Sequence, residues 1–298
     1  MKRGLITRRD FIKIAAVTPF AGAVTPLFKQ GPAAASPQDK VRVVLIRHKD
    51  AVDEAGNHNP EVIQKMLDEA VAALFGEKDA AAAWKKIVTP ADTVGIKTNT
   101  WKSLSTGPAV EQALKRRVLD AGVAEDRISI ADRGVLQNPI FKGATVILNA
   151  RPARTHYWSG MGSCIKNMIL FVPKPSDYHG DTCADLATIW NLPPVKGRVK
   201  LNVLVLLTPL FHGVGPSHFN KKYVWSYRGL LVGRDPVAVD ATGVRVLQAK
   251  RRVYFGEDRP LQPPAHHIVY AETRHGLGVA DPAKIELVKL GWQEDILV

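Results

Sequence analysis

Six short runs rich in Val, Ile and Leu recur along the chain, and most are separated by enough residues for one helix. They are Val41–Ile46, Thr93–Lys97, Arg127–Ala131, Thr145–Asn149, Leu201–Leu207 and Gly229–Val232. A strand with one wet face alternates apolar and polar residues, whereas a strand covered on both faces reads as a continuous apolar run. Between them, Pro60 to Phe75 carries apolar residues at helical spacing (Val62, Ile63, Met66, Leu67, Ala70, Val71, Leu74) and stops at Gly76. Further helices are predicted over Asp79–Lys86, Pro108–Ala121, residues 181–190, Pro236–Val253 behind an Asp235 cap, and Pro264–His275, with a last strand over Lys284–Lys289. This order predicts an α/β fold, a three-layer sandwich with a mostly parallel or mixed central sheet. The segment 152–200 has weak periodicity and many Gly, Pro and polar residues, and is expected to form a loop-rich lobe over that sheet.

The amino terminus has a different character. Thr7-Arg8-Arg9-Asp10-Phe11-Ile12-Lys13 is followed by an apolar stretch from Ile14 to Phe28 and then by Ala33-Ala34-Ala35 and Ser36. This is the pattern of a twin-arginine signal peptide over residues 1–35, which makes the twin-arginine translocase a partner during export and the periplasm or another extracytoplasmic space the destination. The apolar stretch spans about 15 residues, broken by Pro19, Gly22 and Pro26, and falls short of the roughly 20 that cross a bilayer. After cleavage no stable membrane span is expected, and residues 36–298 form a single α/β domain. The signal holds six basic residues and one acidic residue, so the net charge of +13 falls by five to +8 for the remainder. Spread over a chain this long, that charge fits a solvated surface, and export argues against nucleic acid as a partner.

Two cysteines, Cys164 and Cys183, are too few for an ordinary iron–sulfur cluster, and no C-x-x-C pair exists for a structural zinc. Transport to an oxidising compartment permits a disulfide between them, while folding among reducing thiols opposes one.

In open α/β sheets the ligand crevice lies beyond the carboxyl ends of the strands, and there this chain becomes polar. Lys97-Thr98-Asn99 follows one strand, with Thr106-Gly107-Pro108 at the next helix start; Asp132-Arg133 follows another; then come Arg151, Arg154, Thr155 and His156. Lys97 and Asn99 suit a carboxylate or phosphate, the ammonium as a point charge and the amide for orientation, against a plain ion pair at a crevice rim. Lys166-Asn167 is positioned to complete such an anion cradle. His156 and His179 admit two functional readings: acid–base catalysts, or metal ligands alongside Asp181 or Asp240 in a mixed set that a divalent zinc, iron or nickel ion accepts. Both compete with histidines that merely hydrogen-bond in loops. Asp240 lies within an apolar helical run, where a carboxylate is costly unless paired, and Lys97 or Lys166 is its natural partner. Cys164 beside Lys166 is either a nucleophile or a small buried residue, the latter favoured by the absence of any hydrolase spacing. Of His266-His267, helical geometry leaves one packed and one exposed, and His212-Gly213-Val214-Gly215 is too short for a dinucleotide loop.

The ordered set of motifs resembles the domain of unknown function family 362. The strand end Ile96-Lys97-Thr98-Asn99, the Thr106-Gly107-Pro108 helix start, Arg154-Thr155-His156, Lys166-Asn167, His179, the Asp235–Asp240 segment, Gly276-Leu277-Gly278 and Lys284-Ile285-Glu286 follow the family's sequence of short motifs over nearly all of residues 36–298. Arg154 stands where the family pattern has lysine, which removes any role needing a deprotonated amine there. The ferredoxin-like cysteine module of some relatives is absent, so the resemblance implies no iron–sulfur cluster. Together these readings predict an exported protein whose crevice, built from Lys97, Asn99, Thr106, Arg154, His156, Lys166, Asn167, His179 and Asp240, binds an anionic small molecule, with metal-assisted catalysis as one form of that activity. The alternative is a non-catalytic ligand-binding or assembly protein serving exported redox proteins.

Overall fold

One sheet organises the chain. Its strands are β1 (Val41–Arg47), β2 (Val94–Lys97), β3 (Ile128–Ala131), β4 (Val146–His156), β5 (Gly160–Gly162), β6 (Val199–Leu210), β7 (Gly229–Gly233) and β8 (Ile285–Gly291). A computed structural model describes residues 40–213, 215 and 218–298; the expected signal over 1–35 and Val214 of the short Gly segment after His212 lie outside the described residues. The strand order is β3-β2-β4-β6-β7-β1-β8, with β5 added to β4. Neighbours run parallel except that β7 is antiparallel to both β6 and β1, and β5 is antiparallel to β4. Six strands therefore end at the same edge of the sheet.

Alternate residues of the buried strands feed two separate cores, which is why those strands read as unbroken apolar runs. On β6, Leu201, Val203, Val205 and Leu207 pack under α1 (Pro60–Phe75), α2 (Ala80–Trp84) and α3 (Pro108–Asp120), whereas Leu204 and Leu206 face the opposite layer. That layer holds α4 (Pro139–Gly143), α5 (Cys164–Asn167), α6 (Gly180–Cys183), α7 (Pro236–Phe255) and α8 (His266–Thr273). The mixed α/β sandwich follows from this two-sided burial. Capping fixes the long helices locally. Asn59 accepts from the Val62 N–H with Pro60 in the first turn, and α1 ends at Gly76 with φ of 66°, a left-handed turn that suits glycine. Asp235 likewise accepts from the N–H groups of Val237 and Ala238 at the start of α7. Among the described residues no helix is long and apolar enough to cross a membrane.

Three elements differ from the sequence expectation. The strand expected to end at Asn149 continues to His156, because residues beyond the parallel sheet find a new antiparallel partner in β5. The helix expected over 181–190 is broken: Asp181, Thr182 and Cys183 all have positive φ, and the chain resumes as 3₁₀ turns over Leu186–Asn191. Local helical spacing loses here to tertiary packing, since the turn lets Leu186, Ile189 and Trp190 enter the core. Helix α8 spans His266–Thr273 rather than Pro264–His275.

Candidate functional site

The carboxyl ends of β2, β3 and β4 open into a cavity of about 420 Å³, roofed by residues from the 152–200 segment. Its foundation is a row of buried polar side chains across three adjacent strands. Lys97 on β2 is in register with Asn149 on β4, which is in register with Asn202 on β6. Asn149 donates to Asn202 Oδ1 at 2.8 Å and to the Cys164 carbonyl at 3.0 Å, and Asn202 donates to the Arg234 carbonyl at 3.0 Å. Asn167 donates to Asn149 Oδ1 at 2.8 Å and its own Oδ1 lies 3.4 Å from Lys97 Nζ. A satisfied buried network of this kind fixes one geometry, because every broken bond leaves a polar group stranded in a low-dielectric interior.

Lys97 sits beneath the cavity rather than on its wall. Its ammonium donates to Asp132 Oδ1 at 2.7 Å and to the Thr98 carbonyl at 2.8 Å, and Asp132 accepts in turn from the N–H and hydroxyl of Thr100. Burial lowers the Lys97 pKa to about 8 against the pull of Asp132. Burial pushes Asp132 up, yet the Lys97 ammonium and the Thr100 bonds outweigh it and hold the carboxyl below its usual range. Lys97, expected to contact a ligand directly, is thus placed outside the cavity lining, where its pair with Asp132 ties down the 98–100 loop. Thr106 is likewise placed outside the lining: its fully buried hydroxyl accepts from the Asn99 N–H at 2.9 Å and donates to the Ala150 carbonyl at 3.1 Å. It pins the loop that presents Asn99.

The cationic wall comes from β4. In a regular strand Arg151 and Arg154, three apart, would face opposite sides, but the β4–β6 register shifts between Pro152 and Arg154 and brings both to the cavity. The Arg151 guanidinium and the aliphatic stem of Arg154 pass over Gly162 of β5, where an added Cβ would lie 3.1 Å from Arg151 Nη2 and 3.4 Å from Arg154 Cγ. Arg154 donates to Asn99 Oδ1 at 2.8 Å and to the Leu104 carbonyl at 3.2 Å, and its guanidinium carbon lies 4.4 Å from the centre of the Trp101 ring. The Nε atoms of Arg151 and Arg154 are buried without a partner. Burial and then Arg151 bear on Arg154 to lower its pKa, but a guanidinium keeps its proton in a protein, so the charge stays.

Lys166 supplies a third cation from α5. It is 3 % exposed, its Nζ lies 3.5 Å from Cys183 Sγ, and burial lowers its pKa to about 8. Asp240 holds this short helix: its two carboxylate oxygens accept the N–H groups of Cys164 and Ile165 at 2.9 and 2.8 Å. The expected ion pair of Asp240 with Lys97 or Lys166 is therefore replaced by capping of α5, and burial pushes the Asp240 pKa up to about 6 against those bonds. Asp240 positions Lys166 and does not reach the cavity.

The surroundings of the two histidines bear on both roles expected of them. His156 Nδ1 accepts the Trp158 N–H at 3.2 Å, which assigns its proton to Nε2. Burial, then Lys166, Arg151 and Arg154, push its pKa far below the ordinary histidine value, so it is neutral and a very poor base. His179 stacks on Trp158 at 3.7 Å, with its pKa lowered by burial and Lys166 to about 4. Among the described residues no three His, Cys, Asp or Glu side chains gather to hold a metal. The donors of the metal reading are dispersed: Asp181 faces Arg274 at 3.5 Å, Asp240 caps α5, and His156 is ringed by cations that would repel a metal ion. Cys164 and Cys183 are free and buried; burial and Asp240 raise the Cys164 pKa well above the thiol value, and the residue does not line the cavity. Of the late histidine pair, His267 is buried with Nε2 3.3 Å from Ser163 Oγ, while His266 is half-exposed.

A family model described as Domain of unknown function (DUF362) matches residues 54–245. The chain belongs to this family. The matched span of this DUF362 member includes every residue lining the cavity and ends within α7, so β1 and the Gly276–Glu286 motifs of the resemblance lie outside it. No curated protein and no solved structure matches the chain.

Sequence reasoning placed Asn99, Arg154, His156, Lys166, Asn167 and His179 in one cavity, and all six line it. It named Asp132, Arg133 and Arg151 at strand ends without giving them a role, and it missed Trp101 and Trp158, which also line the cavity, and Asn149 and Asn202 beneath it. For the two asparagines a signal existed: each is a lone amide in an otherwise apolar strand, a position that requires a buried partner.

Proposed function

We propose that this DUF362 protein is an exported small-molecule binder whose cavity takes an anion. The observation that carries the reading is the set of Arg151, Arg154 and Lys166, each at most 4 % exposed, none with a carboxylate in ion-pairing distance among the described residues. A buried charge without a counter-ion is costly, and an oxyanion supplies what the chain withholds. Asn99, through Arg154, and the neutral His156 Nε2–H add orientation and one uncharged donor. Arginine forks match the planar geometry of a carboxylate or phosphate.

Binding without turnover is favoured over catalysis by the state of His156, whose acceptor nitrogen is occupied by the Trp158 N–H and whose basicity is suppressed by burial and by three neighbouring cations. The amino-terminal signal supports export through the twin-arginine route, and the periplasm as the working compartment. Native mass spectrometry of protein recovered from its own host is the test. Retention of a stoichiometric organic or phosphate-containing mass, lost in Arg154→Gln, is expected. A mass that persists in Arg154→Gln, or a metal found by elemental analysis in place of an anion, overturns the reading.

A further inference from the structure

We infer that the ligand carries two negative charges on a compact body, as a dicarboxylate or a phosphate monoester does. This rests on the anion-binding reading and narrows it. Of the cations around the cavity, Lys97 is already neutralised by Asp132 at 2.7 Å. Asp240 is spoken for by the two N–H groups of α5. Beside the exposed Arg133, the buried cations Arg151, Arg154 and Lys166 remain, and a single carboxylate facing three buried cations would leave two of them uncompensated.

Lys166 stands on a different element from Arg151 and Arg154, so the three charges converge on the cavity from two sides. Two oxyanion groups, or one doubly ionised phosphate, match that charge. The cavity of about 420 Å³ lies at the small end of the range for small-molecule sites and suits a ligand of this size.

The shared chemistry has two sources, and paired probes separate them. Calorimetric titration at pH 7.5 and constant ionic strength would compare succinate with butyrate, and methyl phosphate with dimethyl phosphate, each pair matched in size and differing in charge. At least one dianion is expected to bind about tenfold or more tighter than its partner, and the pair that shows the preference names the oxyanion. Lys166→Gln should narrow that ratio. If this variant does not fold, Lys166→Met, which keeps the length of the side chain and removes the charge, should show the same narrowing. Equal affinities within both pairs, or a ratio indifferent to the Lys166 charge, would overturn the dianion while leaving the anion site standing. Failure of all four probes to bind would overturn both.

Discussion

If Lys166 is buried for a ligand rather than for the fold, the unliganded protein should become more stable without its charge. Lys166 carries a pKa lowered from 10.5 to about 8, so burying the protonated amine costs about 3 kcal/mol. Lys166→Met keeps an unbranched side chain of similar length and removes the charge. Replacing buried charge by apolar volume commonly gains about 1–4 kcal/mol, and imperfect packing returns up to about 1.5 kcal/mol, so a gain of about 1–3 kcal/mol at pH 7 is expected. Urea unfolding followed by tryptophan fluorescence measures it. The pH dependence provides the signature. Between pH 8 and 10.5 the unfolded lysine is still protonated while the folded one is not, so the unfolded state binds more protons and wild-type stability rises with pH. Below pH 8 both states are protonated and the deficit is constant. The advantage of Lys166→Met should therefore hold from pH 6 to about 8 and fade by about pH 10. A variant less stable than the wild type at pH 7, or an advantage that persists unchanged to pH 10, would refute the reasoning.

Other outcomes follow from the same geometry. The His156 imidazole should show no titration between pH 5 and 8 in the unliganded protein, and a proton NMR midpoint near 6.5 would contradict its burial among cations. Asp240→Asn removes one of two charge-assisted bonds to α5 and should destabilise the protein by about 1–3 kcal/mol in urea unfolding, with weaker anion binding because Lys166 loses its support. Gly162→Val places a branched side chain where Arg151 Nη2 approaches to 3.1 Å; anion affinity should fall by about tenfold or more, and unchanged affinity would show that the guanidiniums do not act from there.

The layered fold was legible because its strands are covered on both faces, so that apolar runs such as Leu201–Leu207 admit little else, and because Asn59, Gly76 and Asp235 mark helix ends by their own chemistry. The extension of β4 was not legible. Arg151, Pro152 and Arg154 resemble a loop in sequence, and only the β5 pairing and the register shift, both non-local, make them a strand with two arginines on one side. Helical spacing over 181–190 misled for a related reason: the left-handed run at Asp181–Cys183 answers to core packing by Leu186 and Trp190, which local pattern does not encode. Candidate site residues were found by their position after strands. Their roles were not, because whether Lys97 faces a ligand or Asp132, and whether Asp240 meets a lysine or two backbone N–H groups, depends on side-chain distances of about one bond length.

The central claim is that three unpaired buried cations await an anion. Thermal unfolding of the wild type and Arg154→Gln in rising phosphate or succinate, with chloride holding ionic strength constant, tests it most directly. The account predicts a melting temperature that climbs with the logarithm of anion concentration in the wild type and by much less in Arg154→Gln, as expected when a ligand binds only the folded state. Equal responses in the two proteins, or none in either, would contradict it.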